Sequence, residues 1–252
     1  MRIGCLISAR NKSKRLKNKL FLKINNIPII SGLIISLSNL KLRFKHELVM
    51  CTSNDKKDHK LVKIAKRNGI KFFKGSKDDK LLRYYNCAKK NKYDIIIIID
   101  GDDPLIYVDG INKLVDYYQK YKNDYLFIKN LPVGLTPSLI KTSALKYVLK
   151  KKINKNTEVW ANFFLSDDKI RSSGIKISTN ISSYNRMRFT LDYKEDYNFF
   201  KKILKIIDYD WTLDALEIIK KIKKKNKNLF KVNINCQNKY LKHLNNSAYN
   251  LN

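Results

Sequence analysis

Short apolar runs alternate with amphipathic stretches through the first half of the chain. The densest run lies in Asp94–Pro104, DIIIIIDGDDP, where five consecutive isoleucines meet an acidic turn. That run is too β-branched and too short for a soluble helix, and far below the ~20 residues of a membrane span. Apolar on both faces, it predicts a central strand of a covered, mostly parallel sheet. Apolar runs at 3–8, 47–52, 70–73 and 125–128 predict further strands. Between them, helical periodicity predicts helices over about 28–40, 56–68 and 109–121, with another following the polar cluster 75–79. The series Thr52, Ser53, Asn54, Asp55 is a helix N-cap cluster, and Gly69 stands at a C-cap position. This alternation predicts a doubly wound α/β sheet. Beyond residue 128 the pattern loosens, and Pro132, Gly134 and Pro137 read as an irregular link. Helices are expected at 143–151 and 157–165, strands at 175–178 and 188–191, and two amphipathic helices at about 195–207 and 213–224. The Asn-rich tail is expected to be partly mobile.

Composition adds a strong charge to this picture. The chain carries 53 Lys and Arg against 22 Asp and Glu, a formal net charge of +31. Such a charge is one footprint of a nucleic-acid binder. Only 9 of the 53 are Arg, however, and Lys, Asn and Ile, which share AT-rich codons, are all heavily used. Coding bias accounts for much of the charge, and specific nucleic-acid binding is not expected. Where Lys serves for bare charge, the few arginines are expected where a planar fork matters, which singles out Arg10, Arg15, Arg83, Arg186 and Arg188. Cys5, Cys51, Cys87 and Cys236 are scattered without a CxxC pair, so neither a disulfide framework nor a zinc site is expected. With no charged-then-apolar leader and no long apolar run, a cytoplasmic protein without membrane insertion is the expectation.

Two stretches carry candidate chemistry. Asp100, Gly101, Asp102 and Asp103 end the isoleucine strand at the edge where open α/β sheets bind ligands. Carboxylates there can hold Mg²⁺ against phosphate oxygens, although the same residues also make an ordinary Asp-rich turn. The loop at 9–19, ARNKSKRLKNK, follows the first strand, where a nucleotide's phosphates usually lie. It matches neither GxGxxG nor GxxxxGK[ST]. Arg10, Ser13, Arg15 and Lys19 could still grip a polyanion; a solvated basic loop is the plain alternative.

In combination these residues resemble a family signature. Ser8-Ala9-Arg10-x-x-Ser13-x-Arg15-Leu16-x-x-Lys19 is followed by Cys51-Thr52-Ser53-Asn54-x-x-x-Asp58, then by Gly75-Ser76-x-Asp78-Asp79-x-Leu81-x-Arg83-Tyr84. Gly101-Asp102-Asp103-Pro104-Leu105 and Arg188-Phe189-Thr190-Leu191-Asp192-Tyr193-x-Glu195-Asp196-Tyr197 complete the set. Order and spacing resemble the cytidylyltransferases that activate sugar acids. The spore-coat-polysaccharide cytidylyltransferase-like branch is the most similar, with the 3-deoxy-manno-octulosonate and N-acylneuraminate enzymes as relatives.

The resemblance implies a Rossmann-like, mostly parallel, doubly wound α/β sheet of the glycosyltransferase-A-like nucleotidyltransferase fold. It implies one domain over residues 1–252, with an acceptor-side or dimerisation lobe at about 130–187. The implied reaction is Mg²⁺-dependent transfer of CMP from CTP to a sugar acid or related small anionic acceptor, in a homodimer serving surface polysaccharide synthesis. Arg10 and Lys19 match the residues that hold the triphosphate, with Ala9, Ser13 and Arg15 beside them. Asp102 and Asp192 match the Mg²⁺ pair, and Thr52, Ser53 and Arg83 fall in the nucleotide pocket. Glu158, Arg186 and Arg188 fall on the acceptor side. Lys17 and Asn18 stand where the family has Pro and often Gly; Asn tolerates a left-handed backbone, so the loop is expected to close. Val159 and Trp160 replace the usual His-Val, which leaves the acceptor open. A metal-dependent glycosyltransferase of the A fold is the competing reading, because Asp100-Gly101-Asp102 is a DxD motif. The basic loop suits a departing pyrophosphate better.

Overall fold

A computed structural model describes residues 1–39, 42–153, 157, 159–177 and 187–248. In chain order the elements are β1 (Ile3–Ser8), β2 (Lys23–Ile24), β3 (Ile27–Pro28), α1 (Ile29–Ser38), β4 (His46–Ser53), α2 (His59–Arg67), β5 (Lys71–Gly75), α3 (Lys80–Asn91) and β6 (Ile95–Asp100). They continue with α4 (Asp109–Tyr121), β7 (Tyr125–Lys129), β8 (Ser138–Lys141), α5 (Thr142–Lys151), α6 (Asn162–Leu165) and β9 (Ser172–Lys176). The chain then runs through α7 (Lys194–Ile206), α8 (Ala215–Lys225) and α9 (Ile234–Ala248).

The isoleucine strand β6 is central, in a seven-stranded sheet of order β5-β4-β1-β6-β8-β7-β9. Successive side chains of a strand point to opposite faces. Ile95, Ile97 and Ile99 accordingly join the core layer formed with α1, α4, α7 and α8, while Ile96 and Ile98 join the layer formed with α3 and α5. Both faces are covered, which is why the run needs no polar alternation. The pairings of β5 with β4, β4 with β1 and β1 with β6 are all parallel. Trp160 packs between Tyr84, Tyr125 and Phe164 in the second layer, so it fills core rather than a ligand cleft.

The second half departs from the sequence expectation in four places. The link around Pro137 contains β8, which inserts antiparallel between β6 and β7. At four residues, directly after a proline, SLIK is too short to show a period. The expected strand at 188–191 is extended chain with one bridge, Val133 to Arg188. Its amides instead bond to loops: Phe189 N–H to the Val133 carbonyl at 2.7 Å, and Leu191 N–H to the Asp102 carbonyl at 2.8 Å. Of the helix expected at 157–165, α6 alone is helical among the described residues. The Asn-rich tail, for which no helix is expected from sequence, forms α9 against the 188–196 segment.

Candidate active site

The register of β1 on β6 sets Ser8 beside Asp100, so the basic loop and the acidic turn leave the sheet together. Gly101 donates its N–H to the Ser8 carbonyl at 2.8 Å. A Cβ on Gly101 would lie 2.8 Å from the Ala9 Cβ, so this close approach requires glycine. Asn18 adopts the left-handed conformation, φ 54°, and turns the loop into a single 3₁₀ turn at Lys19–Phe21. That turn buries the Lys19 stem and aims its ammonium at the acidic edge. The 2.8 Å bond from Leu191 to the Asp102 carbonyl draws the segment ending in Asp192 to the same place.

Asp102 and Asp192 meet there on one cation. Lys19 Nζ donates to Asp102 Oδ2 and, at 2.9 Å, to Asp192 Oδ1. Arg15 reaches the same Asp192 oxygen at 2.5 Å, and Arg188 Nη2 bonds Asp192 Oδ2 at 2.6 Å. Burial pulls the Lys19 ammonium pKa down, but Asp102 and Asp192 outweigh it and the net shift is upward. Burial pushes the Asp192 carboxyl up, but Lys19, Arg15 and Arg188 overcome it and bring the pKa down to about 2. The neighbouring acids are used differently. Asp100 pairs with Lys80 at 2.9 Å. Burial, with Asp102 and Asp100 close by, raises the Asp103 carboxyl well above the carboxylate range. The carboxylates that share one cation are therefore Asp102 and Asp192, not the two of the DxD motif.

The opposite wall of this cleft, about 510 Å³ in volume, holds Arg10 and Arg83. Arg10 donates to the Lys77 carbonyl and faces Asp58 at 3.7 Å. Burial and the like charge of Arg83 lower the Arg10 pKa. Arg83 is 2% exposed and donates to the Ser76 carbonyl at 2.9 Å, while its Nε has no partner among the described residues. A partly buried guanidinium and a buried one on the same wall, close enough to repel, make a subsite that an anion would stabilise. Asp58 anchors this wall: it accepts from the Asn11 N–H at 2.6 Å and from the Ser53 hydroxyl.

Of the residues singled out from sequence, Ala9, Arg10, Ser13, Arg15, Lys19, Arg83, Asp102 and Asp192 border the cleft. Thr52 and Ser53 are buried beneath its lining, Ser53 bonded to Asp58. Arg188 departs from its acceptor-side assignment. It is 0% exposed and its fork is taken by Asp192, Asp196 and Gln237, so it can act only by holding Asp192. Glu158 and Arg186 lie outside the described residues. Sequence reasoning missed Lys80 and Thr157, which border the cleft, as well as Asp58, Asp196 and Asn233, which support it. Asp58 and Asp196 stood inside the quoted motifs; Lys80, Thr157 and Asn233 carry no local signal.

Oxygens that reach one ammonium nitrogen also reach one small ion, and two carboxylates are a hard donor set suited to Mg²⁺. No cluster of three or more acidic, His or Cys ligands occurs among the described residues. A divalent ion held by Asp102 and Asp192 would complete its shell with phosphate oxygens and water, the usual habit of Mg²⁺. The residues present fit such an ion, provided that Lys19 moves aside.

Comparisons with known proteins show which family the chain resembles. An uncharacterised protein of Methanocaldococcus jannaschii is 29% identical over 223 residues, covering 83% of this chain and 90% of that protein. The spore coat polysaccharide biosynthesis protein SpsF of Bacillus subtilis is 24% identical over 142 residues, 56% of this chain and 59% of that protein. The solved structure of a cytidylyltransferase from Leptospira borgpetersenii superposes with a TM-score of 0.79 at 25% identity, covering 91% of this chain and 97% of that one. Because the cytidylyltransferase family model matches residues 4–243, taking in both the basic loop and the two converging aspartates, the chain belongs to the cytidylyltransferase family and is a nucleotidyltransferase.

Proposed function

We propose that the protein transfers CMP from CTP to a small anionic acceptor, a sugar acid or related compound, in a Mg²⁺-dependent reaction that releases pyrophosphate. The observation that carries this reading is the meeting of Asp102 and Asp192 on the Lys19 ammonium beside the basic loop. The acceptor hydroxyl gives up its proton to solvent as its oxygen attacks the α-phosphorus; the bond from that phosphorus to the bridging oxygen breaks and its electron pair leaves on pyrophosphate. Positioning and charge neutralisation dominate such transfers. Mg²⁺, when bound between Asp102 and Asp192, supplies positive charge against the α-phosphate and the attacking oxygen. Lys19 exchanges its carboxylate partners for the leaving phosphates, with Arg10 on the opposite wall. Ala9, Ser13 and Arg15 line the phosphate path. Arg83 closes the nucleotide end, with Thr52 and Ser53 supporting it from beneath. The acceptor enters past Lys80 and Thr157, where the 130–187 segment borders the cleft. Glu158 and Arg186 join that side by sequence position alone.

The likeness to the spore-coat protein supports a role in surface polysaccharide synthesis. A homodimer in the cytoplasm belongs to the same reading. No helix among the described residues is long and apolar enough to cross a membrane.

The test is release of pyrophosphate, coupled to pyrophosphatase, across the four nucleoside triphosphates and a panel of sugar acids. CTP with one acceptor class should give turnover, and Asp102→Asn should lower it roughly 10²–10³-fold while the protein stays folded. Absence of acceptor-dependent pyrophosphate from CTP, or full activity in Asp102→Asn, removes this mechanism.

A further inference from the structure

We infer that Asn233, on the C-terminal segment, is a positioning residue for the carboxylate of Asp192, acting through Asp196 and Arg188. The inference rests on the role proposed above for Asp192. Asn233 stands immediately before α9, where an asparagine usually caps the helix with its side-chain oxygen. Here the residue is 1% exposed and its Oδ1 has no hydrogen-bond partner among the described residues, so the side chain does not act as a cap. Its Nδ2 instead donates to Asp196 Oδ1 at 2.9 Å and to the Arg188 carbonyl at 3.0 Å. A buried oxygen without a partner is costly. The two acceptors served by Nδ2 explain why the amide is oriented this way.

Asp196 is the hub of the arrangement. Its Oδ2 accepts from the backbone N–H groups of Asp192 and Tyr193, both at 2.9 Å, and its Oδ1 accepts from Arg188 Nε at 3.2 Å. Arg188 gives Nη1 to Gln237 Oε1 at 3.1 Å and Nη2 to Asp192 Oδ2 at 2.6 Å. Its whole fork is thereby fixed, and Asp192 is left with Oδ1 turned to Lys19 and the cleft. Asn233, Asp196, Arg188 and Asp192 are all buried, so a loosened bond at Asn233 is transmitted to Asp192 rather than absorbed by solvent. Outer partners of this kind orient the groups that hold an ion, and their loss typically lowers metal affinity.

The experiment is Mn²⁺ binding in the presence of CTP, read from the electron paramagnetic resonance signal of the free ion. Asn233→Ala should weaken Mn²⁺ binding about tenfold, while CTP binding without metal changes less than about twofold. Asn112→Ala removes another buried amide, on α4 and outside the cleft lining, and should leave Mn²⁺ binding at the wild-type value. Gln237 is partly exposed, so Gln237→Met provides a second probe that keeps the fold; it should weaken Mn²⁺ binding a few-fold. Unchanged Mn²⁺ affinity in folded Asn233→Ala overturns the inference. If that variant does not fold, unchanged affinity in Gln237→Met does so; an equal loss in Asn112→Ala also does so. If the wild-type protein binds no Mn²⁺ with CTP present, the role of Asp192 falls, and the inference with it.

Discussion

Asp192 carries the electrostatic weight of the site. Its carboxyl is 4% exposed and titrates at about 2 rather than 3.8, because three cations outweigh its burial. A depressed carboxylate pKa favours the folded state wherever the group is ionised in both states. The contribution is therefore complete above the unfolded value of 3.8 and disappears as pH falls through about 2. It amounts to about 2 kcal/mol. In urea denaturation, wild type should exceed Asp192→Asn most clearly at pH 5 and above, and the two curves should converge as pH falls toward 2. A gap that stays constant over that range would show that the cations do not hold Asp192 ionised. At this scale the sequence announced which residue types matter: a basic loop, an acidic strand end, and one later aspartate within a motif. It did not announce their partners. Lys19 was legible as a phosphate ligand, yet in the structure its ammonium stands between the two aspartates.

At the scale of elements, the decisive feature is the extended segment Arg188–Asp192, which belongs to no regular strand and is held by loops. Gly134 lies against it with φ 92°, and a Cβ there would stand 2.3 Å from the backbone carbon of Phe189. Left-handed strain and this backbone clash together should make Gly134→Ala destabilising by roughly 2–4 kcal/mol. Because Asp192 is three residues beyond Phe189, turnover should fall more steeply than stability alone explains; melting curves and steady-state rates on one preparation separate the two. A melting temperature equal to wild type would mean that Gly134 does not set the position of this segment. The strands β1, β4, β5, β6 and β7 were legible because each is an apolar run bounded by breakers. β8 was not, since four residues after a proline show no period, and its place between β6 and β7 depends on pairing with β6, 40 to 46 positions earlier in the chain. α9 was hidden by its polar composition: its hold on the fold comes from Asn233, Cys236 and Gln237 rather than from a long apolar stripe.

For the whole molecule, the net charge of +31 and the acidic site act at different ranges. Surface lysines attract any polyanion over about a Debye length, whereas the cleft holds its charges close and partly desolvated. Duplex DNA bound by this charge should lose roughly 10³-fold in affinity between about 50 mM and about 200 mM salt, while CTP affinity falls by less than tenfold. Filter binding and equilibrium dialysis across that range check the contrast; DNA binding that survives the higher salt would restore nucleic-acid recognition as a function.

The amino-acid sequence by itself determined that a β-branched run is buried on both faces and ends in acids, because a strand's composition records its burial wherever it sits. It also determined that the loop after the first strand is cationic. Only the tertiary structure decided that Lys19 meets Asp102 and Asp192, 83 and 173 positions away. It likewise decided that Arg188 lies beneath Asp192, and that the tail returns to hold Arg188 through Asn233 and Gln237. Those pairings follow from the register of β1 on β6 and from the bond of Leu191 to Asp102, and a periodic pattern of polar and apolar residues does not encode which distant loop closes on which strand end.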